Sequence, residues 1–241
     1  MGVSHAPQLK SGIALFLNME LALVGCANEH EKLLTDSSLR QSVKHWRDLL
    51  NGALALVSSR TLDEIDRAFG PVQLSAAGQH GLERRAASGR IHRETANPAL
   101  RASLERLRLA LSREPSIILQ DRDASLAIHW RAAAGRAEMV RDAVNVELAR
   151  LGADYRVLQA EEEAHLVPLK ATSGTAVRAF MAERPFQGRR PVFVGDEVSD
   201  LEGFEAAKEF GGYSVAVGLN VTADYRLDDV QAVRRWLGAG H

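Results

Sequence analysis

The chain has little of several features that define whole classes of protein. It contains one cysteine, Cys26, among 241 residues, which excludes a disulfide framework and a thiolate metal cluster. Its longest apolar run, Ile13 to Leu17, is far too short to span a bilayer. The N-terminus lacks the basic and apolar pattern of a signal peptide. We therefore expect a cytoplasmic protein with no membrane partner.

An excess of charge of either sign is also missing. The 30 basic and 31 acidic side chains leave a net charge of −1 at pH 7. Binding to nucleic acid or to an acidic membrane surface requires a basic footprint, so neither partner is expected. The densest basic stretch, residues 83–90, is short and is predicted to be a solvated loop.

The chain does contain short apolar runs that alternate with amphipathic patterns. Runs at 13–17, 53–57 and 191–194 predict buried strands, and the pattern at 37–50 predicts a helix. An alternation of strands and helices indicates βαβ units around a parallel sheet. We therefore predict an α/β protein with a parallel-sheet core.

This rhythm changes near residues 90 and 168. Between these points the patterns indicate two β-hairpins and two helices, which make a compact α+β unit. The strand–helix alternation resumes afterwards. We predict a core domain from residues 1–88 and 169–241, with an inserted domain from residues 89–168.

The most informative segment is 195–204, which reads Gly-Asp-Glu-Val-Ser-Asp-Leu-Glu-Gly-Phe. Its carboxylates follow a predicted strand, at the position where open α/β sheets place their ligands. Concentrated carboxylates suit a hard cation such as Mg²⁺. A solvated acidic loop that caps the next helix explains the same residues equally well.

The segment also resembles the fourth motif of haloacid-dehalogenase-type phosphatases, in the form found in the trehalose-6-phosphate phosphatase family. Further resemblances to that family run along nearly the whole chain beyond residue 12. They are Val-Ser-Ser-Arg at 57–60, a Gly-x-His-Gly-x-Glu-Arg segment within 76–85, His-Trp-Arg at 129–131 and Pro-Phe-Gln-Gly-Arg at 185–189. The resemblance implies a Rossmann-like core of haloacid-dehalogenase type, with residues 89–168 as an inserted α+β cap domain.

In that family the first strand ends in Asp-x-Asp, whose first carboxylate attacks phosphorus and whose second is the general acid and base. A serine or threonine binds the phosphoryl group, a lysine holds the nucleophile and phosphate, and the acidic fourth motif binds Mg²⁺. The resemblance therefore implies catalytic positions at Asn18, Glu20, Ser58, Ser173 and Asp200. It implies a Mg²⁺ site at Asp196, Asn18 and Glu20.

The chain departs from the family at the residues that carry the chemistry. Asn18 stands in place of the nucleophilic aspartate, and an amide is not a competent nucleophile toward phosphorus. Glu20 replaces the acid/base aspartate, and Ser173 replaces the lysine. Lys170 lies three residues before Ser173, and we do not expect it to reach back. Because Asn18 also removes a charge, we expect Mg²⁺ binding to be weakened.

Substrate-facing positions are matched less uniformly. The family's Glu-x-Lys is Gln120-Asp121-Arg122 here, and a third family glutamate is His165. His165 suits a sugar hydroxyl or a metal, although a lone histidine on a strand is more often structural. The resemblance implies binding of a sugar phosphate, trehalose 6-phosphate or a similar compound, by Arg60, His80, Gly81, Gln120, Arg122, Arg131 and His165.

Three hypotheses for function follow. The chain is an active trehalose-6-phosphate phosphatase with an unusual site, a catalytically silent relative that still binds a sugar phosphate or a protein partner, or a drifting copy with no retained function. Loss of the nucleophile closes the covalent route, and loss of the lysine then adds little. We therefore favour the silent relative that binds a ligand or partner.

Overall fold

The computed structural model describes residues 6–19, 37–70, 74–95, 97–159, 162–218 and 221–238. Glu20 and Cys26 lie outside these ranges, so the catalytic and metal roles predicted for Glu20 stay predictions. Within the described ranges, no helix is both long and apolar enough to cross a bilayer.

Strands and helices alternate as predicted, and the elements include three short strands that were not predicted. In chain order the elements are β1 (Ile13–Asn18), α1 (Ser37–Leu49), β2 (Leu54–Val57), α2 (Leu62–Phe69), β3 (Ser75–Gly78), β4 (Glu83–Arg85), β5 (Ile91–Arg93), α3 (Pro98–Ala110), β6 (Ile118–Asp121), β7 (Leu126–His129), α4 (Ala137–Leu151), β8 (Tyr155–Gln159), β9 (Glu163–Pro168), α5 (Ser173–Met181), β10 (Arg190–Gly195), α6 (Leu201–Glu209), β11 (Tyr213–Val217), β12 (Tyr225–Leu227) and α7 (Val230–Trp236). The additional strands β4, β5 and β12 have three residues each, too few for a periodic pattern.

An eight-stranded sheet, in the order β12-β11-β10-β1-β2-β3-β4-β5, lies in the first of two units. All pairs from β12 to β3 are parallel, and β4 and β5 extend one edge in antiparallel pairing. Strands β1 and β10 at the centre are buried almost throughout, which explains their continuous apolar sequences. The predicted parallel-sheet core is confirmed. The solvated loop predicted at 83–90 is wrong for residues 83–85, since Glu83 and Arg85 are buried in β4, whereas residues 88–90 are exposed.

Aromatic contacts hold two helices against the central strands. Phe16 of β1 lies 6.0 Å, between ring centroids, from Phe180 of α5. Phe193 of β10 lies 5.6 Å from Phe204 of α6 in an edge-to-face contact. These geometries are favourable for aromatic pairs. They hold α5 against β1 and α6 against β10.

The second unit is α+β. Its antiparallel sheet has the order β6-β7-β9-β8. Alternate residues on one face of the sheet, such as Ile128 and Leu166, pack with Leu104 of α3 and Val140 of α4. The opposite face therefore carries the other alternation, which includes Gln120, His129 and His165.

The boundaries between the units differ from the predicted ones. The contacts assign residues 94–171 to the second unit, whereas the prediction was 89–168. Residues 91–93 stay with the first unit because β5 pairs with β4. The end of the second unit extends to residue 171, since Leu169 N donates to Asp154 O at 2.7 Å and Arg156 donates to Ala171 O at 2.7 Å.

The backbones of α6, β10 and the start of β11 approach one another closely at Gly212, and a substitution there tests this packing. A Cβ at this position would lie 1.9 Å from the carbonyl oxygen of Pro191, whereas a Cβ at Gly12 would meet nothing within 4 Å. We expect Gly212→Ala to lower the free energy of unfolding by about 3 kcal/mol, because backbone has to move. Gly12→Ala, the matched control, should change it by less than about 0.5 kcal/mol. Urea denaturation measures both, and equal values for the two variants would contradict this packing.

Candidate functional site

Several predicted site residues stand at one edge of the large sheet. Strands β1, β2, β3 and β10 are mutually parallel in their pairings, so their carboxyl ends share an edge. Asn18 is the last residue of β1, Ser58 follows β2 and Asp196 follows β10. The register pairs Asn18 with Val57. Three predicted site residues therefore lie at the carboxyl ends of neighbouring strands.

A buried hydrogen bond joins Asn18 to Asp200. The Asn18 Nδ2 atom donates to both carboxyl oxygens of Asp200, at 2.8 Å to Oδ1 and 2.9 Å to Oδ2. Asn18 is 7% exposed and Asp200 is 2% exposed. A carboxylate only accepts hydrogen bonds, and the amide nitrogen only donates them. Asn18 therefore presents a donor toward Asp200.

Asp200 is also held by the loop that precedes it. Its Oδ2 accepts the backbone N–H groups of Asp196 at 3.0 Å and Glu197 at 3.2 Å. Gly195 makes room, since a Cβ there would lie 2.3 Å from this oxygen. Burial raises the pKa of Asp200 from its ordinary value of 3.8 to about 7, and the hydrogen bonds from Asn18 and the backbone offset only part of this effect.

Ser173 connects α5 to the same acidic loop. Thr172 caps α5, and its side chain accepts the N–H of Thr175 at 2.9 Å. The Ser173 hydroxyl donates to the backbone carbonyl of Ser199 at 3.0 Å. Because Ser199 directly precedes Asp200, this bond ties the first residue of α5 to the segment that holds Asn18.

The segments after β2 and β3 are joined through their backbones. The Ser58 hydroxyl accepts the N–H of Arg60 at 3.0 Å. The Ser58 carbonyl accepts the N–H of His80 at 3.0 Å, and the Arg60 carbonyl accepts the N–H of Gln79 at 2.7 Å. These bonds place Ser58, Arg60 and His80 in one local cluster.

Three consecutive residues after β3 adopt left-handed backbone conformations. The φ angles are 49° at Gln79, 56° at His80 and 95° at Gly81. A left-handed conformation costs a non-glycine residue about 1 kcal/mol. At Gly81 a side chain is also excluded, since a Cβ would lie 2.9 Å from the Thr172 carbonyl oxygen. This close approach sets the His80 segment beside the start of α5.

A buried polar pair that the sequence analysis did not assign supports this turn. The Gln79 amide donates to the Glu83 carboxylate, and both residues are nearly inaccessible. The other Glu83 oxygen lies 3.2 Å from Arg93 Nε. The sequence signal that could have singled out Glu83 was its place in the 76–85 segment that resembles the family. Gln79 carried none, since its role depends on the fold.

In the second unit, a polar cluster forms on the sheet face opposite the helices. The register places Gln120 opposite Ala127, and Ala127 opposite His165, so the predicted residues Gln120 and His165 share one row across β6, β7 and β9. Arg122 donates to the Gln120 side-chain oxygen at 3.0 Å. Three of the predicted substrate positions therefore lie at one face of this unit's sheet, where His165 is 4% exposed.

His165 does not stand alone on its strand. Glu163 Oε1 lies 3.5 Å from His165 Nε2, and Glu163 Oε2 lies 2.9 Å from His129 Nδ1. Hydrogen bonds from His129, which has the larger effect, and from His165 hold the pKa of the Glu163 carboxyl well below its usual range. Glu163 is the first residue of β9, and the sequence analysis assigned it no role. The signal was the two-residue spacing, which puts Glu163 and His165 on one face.

Arg131 is engaged elsewhere in the second unit. It follows β7, and its guanidinium donates to the Glu162 carboxylate at 2.5 Å across an exposed surface. Glu162 therefore positions the Arg131 side chain. The substrate-binding role predicted for Arg131 stays a prediction.

Comparison with known proteins identifies the family. The trehalose-phosphatase family model matches residues 22–231, which is most of the chain. The chain belongs to the trehalose-phosphatase family. Asn18 and Glu20 precede the matched residues, so the match rests on the rest of the chain and not on the first motif.

Relatives of this trehalose-phosphatase family member share modest sequence identity over nearly their full length. A probable trehalose-phosphate phosphatase of Sinorhizobium fredii is 33% identical, over 93% of this chain and 85% of that protein. The trehalose-6-phosphate phosphatase of Escherichia coli is 28% identical, over 98% of this chain and 89% of that protein.

Solved structures share the fold. A phosphatase of the haloalkanoate (HAD) enzyme superfamily from Bacteroides thetaiotaomicron superposes with a TM-score of 0.61, at 16% identity and with 98% of each chain covered. The C-terminal domain of a Candida albicans trehalose synthase regulatory protein superposes with a TM-score of 0.68, at 11% identity and with 92% of each chain covered. The predicted fold class, a Rossmann-like HAD core with an inserted α+β cap domain, is confirmed.

Proposed function

We propose that this trehalose-phosphatase family member binds a sugar phosphate, trehalose 6-phosphate or a similar compound, without hydrolysing it through an aspartyl phosphate. It then acts as a sensor or regulator, alone or with a protein partner. The observation that carries the proposal is the hydrogen bonding of the Asn18 side chain. Asn18 stands where the resemblance places the family's nucleophile. Its amide nitrogen donates to the two carboxyl oxygens of Asp200, at distances of 2.8 and 2.9 Å.

The chemistry of an amide supports this proposal. Covalent phosphoryl transfer requires an ionised oxygen that can attack phosphorus and later leave as an acyl phosphate. The Asn18 side chain has no ionised oxygen, and its donor is committed to a buried carboxyl group. A ligand phosphate at this edge therefore meets no nucleophile at position 18.

The position of the family lysine supplies no positive charge either. Phosphoryl transfer depends on cationic groups that offset charge developing on the phosphate oxygens. Ser173 is neutral, and its hydroxyl donates to the Ser199 carbonyl. Lys170 belongs to the second unit, where its ammonium lies 2.7 Å from the Glu94 carboxylate.

Groups suited to ligand binding are retained. In the first unit, Ser58, Arg60 and His80 form one cluster. In the second, an ionised Glu163 beside His129 and His165 offers the donors and acceptors that sugar hydroxyls need. The Candida neighbour is named as a regulatory protein, so this fold also occurs in a protein named for regulation.

An active phosphatase is the second candidate. This candidate is supported by two relatives, 33% and 28% identical to this chain, which are named as a probable trehalose-phosphate phosphatase and a trehalose-6-phosphate phosphatase. This candidate requires a nucleophile other than Asn18. It is separated from the first by a phosphate-release assay.

Isothermal titration calorimetry with trehalose 6-phosphate tests the binding part of the proposal. We expect the native chain to bind it more tightly than trehalose or inorganic phosphate. Arg60→Ala and His165→Ala should each weaken binding at least about tenfold, because each removes a polar contact worth about 1.5–3 kcal/mol if charge-assisted. Arg113→Ala, an exposed arginine in the second unit, is the control and should bind like the native chain. Absence of both binding and hydrolysis would instead favour the drifting copy.

A further inference from the structure

The residues around Asn18 differ from what a divalent cation needs. HAD phosphatases generally use Mg²⁺, which prefers carboxylate, phosphate and water oxygens in octahedral geometry. No group of three or more His, Cys, Asp or Glu side chains is arranged to hold a metal within the described ranges. Position 18 contributes a neutral amide, and Asp200 is occupied by hydrogen bonds. Of the three predicted ligands, Glu20 lies outside the described ranges, Asp196 supplies a carboxylate and Asn18 a neutral amide, so the described donor set falls short of what Mg²⁺ prefers.

The Asp200 carboxyl group is satisfied by the protein itself. Its two oxygens receive contacts from Asn18 Nδ2 at 2.8 and 2.9 Å. Oδ2 also receives the N–H groups of Asp196 and Glu197 at 3.0 and 3.2 Å. A carboxylate has about four acceptor sites, so these contacts come close to filling them. These donors therefore offset part of the cost of burying this carboxyl group without an external cation.

We propose that the Asn18 amide takes the place of a cation, so that this centre is folded and stable without a divalent metal. The proposal concerns the folded state and is independent of whether the chain hydrolyses a phosphate. It has a reciprocal consequence. Asn18→Asp replaces the donor with a second carboxyl group at hydrogen-bonding distance from Asp200, and like charges so close are unfavourable unless a cation lies between them.

Thermal unfolding with EDTA or with millimolar MgCl₂ tests this inference at pH 8. The native chain should show the same Tm in both conditions. Asn18→Asp should unfold at a lower Tm in EDTA, and Mg²⁺ should raise its Tm by roughly 5 °C, because a ligand that binds only the folded state stabilises it. Asn145→Asp makes the same chemical change on the exposed surface of α4 and should show no Mg²⁺ effect.

A swap variant keeps the test decisive if Asn18→Asp does not fold. In Asn18→Asp/Asp200→Asn the amide and the carboxyl exchange places, so that one donor and one acceptor still face each other. This double variant should fold in EDTA and show no Tm response to Mg²⁺. A rise in the native Tm with Mg²⁺ as large as that of Asn18→Asp would overturn the proposal. So would an Asn18→Asp variant that is as stable as the native chain in EDTA.

Discussion

The triple variant Asn18→Asp, Glu20→Asp, Ser173→Lys should release phosphate from trehalose 6-phosphate at least about 100-fold faster than the native chain in the presence of Mg²⁺. The native chain should release little or none. The Asn18→Asp change restores a carboxylate that can attack phosphorus. The Ser173→Lys change restores a positive charge at the start of α5, where the native hydroxyl donates to Ser199. Initial rates of phosphate release measure the effect.

Recovery should be partial, and the single variants should recover less than the triple variant. Residues that act as one unit in catalysis have strongly non-additive effects. The resemblance places Leu21 and Ala22 where the family motif continues with Gly-Thr after Asp-x-Asp, and it places Gln120, Arg122 and His165 at sugar-binding positions where the family has other residues. A small aryl phosphate removes the sugar requirement, so it separates loss of chemistry from loss of sugar recognition. Robust native turnover that survives Asn18→Ala would mean that another residue does the chemistry, and would contradict the proposed function.

Native stability should fall by about 4 kcal/mol between pH 4 and pH 7 because of Asp200 alone. Burial raises its pKa from 3.8 to about 7 in the folded chain. Below pH 4 the carboxyl is protonated in both states and contributes no pH dependence. Between pH 4 and 7 only the folded state keeps the proton, so stability decreases as the pH rises. Above pH 7 both states have released it, and the loss is complete.

Asp200→Asn should remove this pH dependence. The unfolding free energy of the variant minus that of the native chain should therefore rise by about 4 kcal/mol from pH 4 to pH 7, whatever the offset between the two. Urea denaturation at each pH measures the difference. An Asp200→Asn curve parallel to the native one would show that Asp200 does not titrate in this range.

Asp224 provides a control of the opposite sign. Burial acts to raise its pKa, but hydrogen bonds from Ser214 and Lys208 outweigh burial and hold the pKa of Asp224 below 3.8. Its contribution to stability is present above pH 4 and is lost as the pH falls through the lowered pKa. Asp224→Asn should therefore leave the slope between pH 4 and pH 7 unchanged.

Much of the fold could be predicted because strand and helix patterns are local. The apolar runs at β1, β2 and β10 are continuous, which is what burial on both faces of a parallel sheet requires. Strands of three residues escaped prediction, and so did the burial of Glu83 in β4. A charged residue in a short strand carries no periodic signal. Its burial depends on partners such as Gln79 that the fold supplies.

The sequence by itself determined which chemical groups the site contains. An amide at position 18 and a hydroxyl at position 173 follow from residue identity, and with them the prediction that the family's nucleophile and lysine are replaced. The alternation of strands and helices also determined that β1 and β10 would end at the same edge of a sheet.

Only the tertiary structure decided what those groups do to one another. Asn18 and Asp200 are 182 positions apart, and their hydrogen bond exists because β1 and β10 are neighbours in register. The same holds for Glu163, whose contact with His129 arises from the pairing of β7 with β9. Hydrogen bonds form over about 3 Å, and a linear sequence does not specify distances between strands until the chain has folded.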